Sequence, residues 1–292
     1  MTPVVERLIA ERLGPSDRAL LDQVGPSASL EDALASPELE RLVFAPTLTL
    51  DPSAPIPSPF LAFAVAVHRS RVELERASFV REWVGPAQRL PVLDVQPLRD
   101  FLADGLRRHF LVELLTSYTK VQSGSILVRT PRGIRRRRFS ELDPVHLASL
   151  LQDAPPAERP GLWRRLGDLS LFLTGVFPDY AAGRALSAVG EERLRRATGM
   201  EQVGPPEPES AQGWWSWTTG APAGPLGLLQ ELGARAYRQA AQESADIRLG
   251  TMAVIEDVAD RFVDARRVLG VLTERYLFAG RDRWFGAGPS SS

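Results

Sequence analysis

The stretch from Trp163 to Tyr180 constrains the fold most. It reads Trp-Arg-Arg-Leu-Gly-Asp-Leu-Ser-Leu-Phe-Leu-Thr-Gly-Val-Phe-Pro-Asp-Tyr, an apolar run at helical spacing with one acid, Asp168, near its middle. A helix apolar on most of its faces must be surrounded by other elements. The run therefore predicts a buried helix packed among helices. It does not name a chemistry.

The bulk numbers exclude several classes. With 292 residues the chain can bury one large core or two modest ones. Its formal net charge of −1 gives no global pull toward nucleic acid or membrane. It has no cysteine, which removes disulfides, thiolate metal sites and thiol nucleophiles. The longest apolar run, residues 60–67, falls far short of the roughly 20 residues a membrane helix needs. The first residues are amphipathic and charged rather than leader-like. Together these features predict a cytoplasmic protein. Lys120 is the sole lysine and every other cation is arginine. With abundant Ala, Pro and Gly, that bias suggests a GC-rich bacterial genome, and it lowers the weight of any arginine cluster.

Punctuation along the chain predicts a multi-helix, bundle-like fold, mainly α. Residues 1–45 form a small N-terminal helical subdomain broken at Gly14-Pro15, Gly25-Pro26 and Pro37, with Ser16 and Ser29 as N-caps. Residues 46–57 hold four prolines and read as an extended linker. The main domain spans 58–285. Its helices are expected at 58–84, 97–121, 143–151, 158–176, 190–198, 226–244 and 247–278. In the 226–244 helix, Gly233, Ala236 and Ala240 make a small-residue face that admits a close neighbour. Residues 125–139 carry the one strand signal. Ile126-Leu-Val-Arg-Thr130 leads through Pro131-Arg-Gly133 into Ile134-Arg-Arg-Arg-Arg-Phe139, a β-hairpin. Residues 203–225 are rich in Pro, Gly and Ser yet hold Trp214, Trp215 and Trp217, so this loop is expected to pack. Residues 286–292 read as a flexible tail.

Each candidate site has a bland alternative. Arg135, Arg136, Arg137 and Arg138 could grip phosphates, but a charged strand edge also deters strand association. Trp214, Trp215 and Trp217 could anchor a partner or staple their loop to the body. The aromatics of Arg281-Asp-Arg-Trp-Phe285 pose the same choice. His109 and Glu113, four apart on one helix, could reach one ion, but no Glu-x-x-His pair supports a helical metal centre. No metal and no cofactor are expected. Asp168 among leucines must be paired or have a raised pKa, and Arg164 and Arg165 are within pairing distance along the helix. A ligand pocket between helices would draw on His109, Glu113, Tyr118, Asp168 and Tyr237, with Glu113 and Asp168 as a possible acid/base pair. No nucleophile elbow, phosphate loop or dinucleotide fingerprint is present in the sequence.

Ser58-Pro-Phe-Leu-Ala-Phe-Ala-Val-Ala-Val-His68, Phe110-Leu-Val-Glu-Leu-Leu115, Arg165-Leu-Gly-Asp-Leu-Ser-Leu-Phe-Leu-Thr-Gly175 and Gly233-Ala-Arg-Ala-Tyr237 carry a resemblance. They resemble a family of mostly helical cytosolic proteins from high-GC actinobacteria and related bacteria, to which no activity is assigned. The resemblance spans roughly residues 58–285 and implies a bacterial helical protein, with no catalytic residue to carry over. The sequence reading favours an interaction or regulatory protein whose partner is another protein or a second copy. A small-molecule pocket between helices is the alternative. Nucleic acid at the arginine hairpin comes third, and no membrane is expected.

Overall fold

Proline sets the starting points. At the first helical position its missing N–H would be an orphan anyway, and Pro3, Pro15, Pro37, Pro59, Pro144 and Pro178 each open a helix. The computed structural model describes residues 3–25, 27–44, 55–86, 88–120, 123–130, 133–140, 142–200, 224–244, 250–277 and 284–285. Among these the chain is mainly α, with fourteen α-helices and two two-stranded sheets. No helix among them is long and apolar enough to cross a membrane. The chain divides into two compact units. The first gathers residues 1–82, 90–120 and 267–288, and the second 83–89, 121–266 and 289–292.

The first unit is built around α5 (Pro59–Arg76). Residues 60–67 of this helix are all buried, as an apolar run on every face requires. Helices α1 (Pro3–Arg12), α2 (Pro15–Val24), α3 (Leu30–Leu34) and α4 (Pro37–Phe44) precede it, and α6 (Gln96–Ala103) and α7 (Gly105–Ser117) follow. Helices α3, α4, α6 and α7 pack on α5, and α1 packs on α7. Asp17 of α2 fastens the start of α5. Its carboxylate accepts the Ser58 N–H at 2.8 Å, the Ser58 hydroxyl at 2.8 Å and the Gly14 N–H at 3.1 Å. The Ser58 hydroxyl in turn accepts the Leu61 N–H, capping α5. At the other end Arg99 donates to the Leu74 and Ala77 carbonyls, closing helix-end acceptors that have no partner within the helix. Trp284 and Phe285 are buried, and the Phe285 ring stacks on Phe63 at 5.7 Å.

The second unit contains α8 (Pro144–Asp153), α9 (Arg159–Val176), α10 (Pro178–Gly183), α11 (Ala188–Thr198), α12 (Gly224–Glu243) and α13 (Gly250–Asp260). Its most extensive packing is between α9 and α12. Every residue of α9 from Leu169 to Val176 is buried, as its apolar run predicts. The small-residue face of α12 serves close approach: a Cβ on Gly233 would lie 2.3 Å from Phe262 Cζ and 2.9 Å from Ser170 Cβ. Strands β3 (Ser123–Thr130) and β4 (Gly133–Ser140) form the expected antiparallel hairpin, with Ile126 opposite Arg137 and Val128 opposite Arg135.

Several boundaries depart from the sequence reading. The helix expected over 58–84 ends at Arg76, and a second hairpin comes after it, β1 (Val80–Gly85) and β2 (Gln88–Val92). Phe79, Val80, Trp83 and Val84 are β-formers, so Gly85-Pro86 sits at the turn of a hairpin rather than at a helix stop. Ser16 lies inside α2, because Pro15 takes the first helical position and Gly14 becomes the cap residue; Ser29 does cap α3, accepting the Asp32 N–H. The helix expected over 247–278 breaks at Arg261 into α13 and α14 (Phe262–Leu272) and ends in a π-helical turn, Thr273–Leu277. The apolar spacing runs through Ile255, Val258 and Phe262 without interruption, so the period hides the break.

Candidate functional site

The five pocket candidates divide between the two units. In the second, Gly167 and Tyr237 bring α9 and α12 together. A Cβ on Gly167 would sit 2.5 Å from the Tyr237 ring, so glycine is what lets the tyrosine lie flat against the helix. The Tyr237 hydroxyl then donates to Asp168 at 2.9 Å. Arg164 stands 4.0 Å from the same carboxylate. Burial pushes the Asp168 pKa up, and Arg164, the tyrosine hydrogen bond and Arg165 offset this only in part. Asp168 is thus an acid whose burial its partners only partly offset.

In the first unit, His109, Glu113 and Tyr118 belong to α7 and its C-cap. Arg12 of α1 takes both Glu113 oxygens, at 2.9 and 3.2 Å. Its guanidinium also lies over the Phe60 ring, which His109 meets edge-on. Burial, followed by Arg12, lowers the His109 pKa. Tyr118 is fully buried. Glu113 and Asp168 therefore belong to different units and have different partners. Among the described residues no group of three or more His, Asp or Glu side chains is placed to hold a metal. Arg135 to Arg138 occupy consecutive positions of β4. Trp214, Trp215 and Trp217 lie outside the described residues.

A cleft of about 350 Å³ opens in the first unit, between the end of α5, the start of β1 and the π-turn. Leu74, Phe79, Val80 and Val271 give it apolar walls, and Glu73 and Arg275 a polar side. A π-turn carries one more residue than an α-turn and so re-aims the side chains on its C-terminal side. Here Arg275 reaches Glu73 at 2.6 Å, while Arg69 meets Glu40 at 2.6 Å and Glu73 at 3.3 Å. The Tyr276 ring packs on Phe44. Burial, then Glu73 and Glu40, raises the Tyr276 pKa, so its phenol stays protonated. The Ser70 hydroxyl, on the cleft lining, is buried with no hydrogen-bond partner among the described residues. Large apolar side chains are exposed on and flanking the hairpin: Phe79, on the cleft lining just before β1, is 47% accessible, Leu90 of β2 53%, and Leu93 just after β2 78%.

A second polar cluster, deeper in the same unit, escaped the sequence reading altogether. Glu31 of α3 meets Arg108 of α7 at 2.8 Å and Arg71 of α5 at 3.3 Å, and His68 of α5 lies 4.0 Å away. Arg108 also donates to the Leu102 and Ala103 carbonyls at the end of α6. One local signal existed: Arg108 stands in a helix whose neighbours Phe110, Leu111 and Val112 are all apolar. Comparison with known proteins finds no matching family model, no matching curated protein and no matching solved structure. The functional reading therefore rests on the residues themselves.

Proposed function

We propose that the protein is a non-enzymatic interaction protein, of bacterial origin and acting in the cytoplasm, and that it binds another protein through the exposed apolar residues Phe79, Leu90 and Leu93 of its first unit. The exposure of Phe79, Leu90 and Leu93, on and immediately flanking the two strands, carries this reading. Single exposed apolar residues are ordinary, but several within a short stretch of chain, one of them lining a cleft, mark a contact surface. The charged groups around the cleft support it too. Glu73, Arg275, Arg69 and Glu40 are engaged with one another, so the surface offers apolar contact with an already satisfied polar border, the usual anatomy of an interface.

The test is site-specific photo-crosslinking in the source cells. A photoreactive residue at Leu93 gives a discrete protein adduct, one at the exposed Arg7 of α1 gives none, and Phe79→Ser lowers the Leu93 yield. Equal labelling at both positions, or none at Leu93, refutes the reading. An adduct of twice the chain mass identifies the partner as a second copy.

A small-molecule function would centre instead on Asp168 and Tyr237, whose raised acid and directed hydroxyl favour it. Asp168→Asn would then abolish ligand binding while leaving the Leu93 adduct intact. Contact with nucleic acid at Arg135–Arg138 would show as affinity falling steeply with salt.

A further inference from the structure

Acid could unfasten part of the first unit if a buried site there cannot accept another positive charge. The Glu31 cluster is such a site. Arg71 and Arg108 both meet one Glu31 oxygen, Oε1, at 3.3 and 2.8 Å, and His68 Nδ1 faces that same oxygen at 4.0 Å. His68 is fully buried, and neither ring nitrogen has a hydrogen-bond partner among the described residues. Asp104, at the start of α7, is the other acid acting on Arg108, and Glu75 holds the second edge of Arg71. The ring thus meets two guanidinium groups and the one carboxylate they share, and the positive charge of the amino terminus acts on both the ring and that carboxylate.

We propose that His68 is an acid-sensitive latch: its neutral ring lets α3 and α4 stay seated on α5 and α7, and its protonation drives those two helices off. A charged His68 would be one more cation, on a fully enclosed ring, beside a carboxylate that the existing cations already share. The carboxylate cannot yield instead. Burial opposes its ionisation, but the amino-terminal charge, then Arg108, His68 and Arg71, hold Glu31 below the usual carboxylate range, so it stays ionised. The proton therefore goes to the opened form, in which His68 meets water. Burial, then Arg108, depresses the folded His68 pKa to about 3, against 6.5 for a free imidazole. For a base depressed on folding, stability is fully present above the free value and drains away as pH falls below it. The opened form should gain about 30-fold in population between about pH 7.5 and pH 5.

Hydrogen exchange of the full chain, corrected for intrinsic rates, tests this. Amides of residues 29–44 should lose about 30-fold in protection over that pH range, while α9 and α12 hold theirs. His68→Gln, which cannot titrate, should abolish the loss. The His68 ring resonance of the native protein should show no protonation step down to about pH 5. Unchanged protection at residues 29–44, an equal loss in α9, or a loss that persists in His68→Gln would each overturn the latch. So would a His68 midpoint near its free value, a measurement that does not depend on the variant folding.

Discussion

Gly233→Ala separates the two opposing effects of adding a methyl group to a helix. In an exposed helix interior, Gly→Ala is stabilising by about 1 kcal/mol, because alanine has less backbone entropy to lose. At Gly233 the new Cβ meets Phe262 Cζ at 2.3 Å, Phe262 Cε2 at 2.5 Å and Ser170 Cβ at 2.9 Å. Phe262 cannot swing aside freely: it is buried and its ring packs on Tyr237 with centroids 6.0 Å apart. Ser170 Cβ is anchored directly to the α9 backbone. Overpacking of this kind costs about 1–3 kcal/mol, and three close contacts place it in the upper half of that range. The net expectation is a loss of about 1–2 kcal/mol. Gly161→Ala is the control, since its Cβ would meet nothing within 4 Å; it should be neutral or slightly stabilising. Phe262→Leu removes the clashing ring atoms, so the double variant should recover at least about 1 kcal/mol relative to additivity. Urea unfolding of the full chain, followed by helical circular dichroism, measures all four. A Gly233→Ala protein as stable as the parent, or a cycle without coupling, would show that α12 is not packed against Phe262 and Ser170 as described.

Three further substitutions test other parts of the structure. Asp168→Asn should be more stable than the parent near pH 7. The folded Asp168 pKa is raised, so its favourable contribution belongs to low pH and is lost as pH rises through the folded value; the advantage of Asn, read from urea midpoints, should shrink toward pH 4, and a less stable variant at pH 7 would contradict the burial. Asp17→Ala should cost about 2–4 kcal/mol in the same assay, because it strands the Gly14 and Ser58 donors at a buried carboxylate; a loss under about 1 kcal/mol would mean that water replaces it. Arg108→Lys should cost about 2–4 kcal/mol despite keeping the charge, since an ammonium cannot reach Glu31 and two α6 carbonyls at once; parental stability would refute the fork's role.

Helices α8, α9 and α11 and the β3–β4 hairpin were legible because local chemistry decides them. Asp143 caps α8, Gly199 ends α11 at φ 64°, and the ladder from Ser123↔Ser140 to Thr130↔Gly133 is the direct product of the strand-turn-strand pattern. The β1–β2 hairpin was not legible, because helical spacing and strand alternation both fit the short mixed run from Phe79 to Val84. Phe79, Val80, Trp83 and Val84 read as either a fading helix face or a half-buried strand. Arg267 of α14 resolves the choice by binding Glu82 and the Asp94 carbonyl, on either side of the hairpin. That contact spans 185 residues, and no local window contains it.

The same distance problem hid the polar clusters, and arginine is why they exist in this form. Arg69 binds Glu40 and the Ala35 carbonyl, Arg108 binds Glu31 and two carbonyls of α6, and Arg267 binds Glu82 and the Asp94 carbonyl. Each fork therefore satisfies an acid and a loose end of backbone together, a task suited to five planar donors and poorly suited to one ammonium. A sequence with a single lysine looks, by composition, as though arginine were merely the default cation. These inward-reaching arginines show that the default was put to structural use: they close backbone carbonyls at the ends of elements that the chain's many prolines and short loops leave open. His109 and Glu113 drew attention because they stand four apart on one helix, yet Glu113 serves a half-exposed pair with Arg12. Glu31 and Arg108 are 77 residues apart and form the buried cluster to which the protonation of His68 is coupled. Proximity along a helix locates pairs that water can screen, whereas the pairs with the largest consequences are made by folding itself.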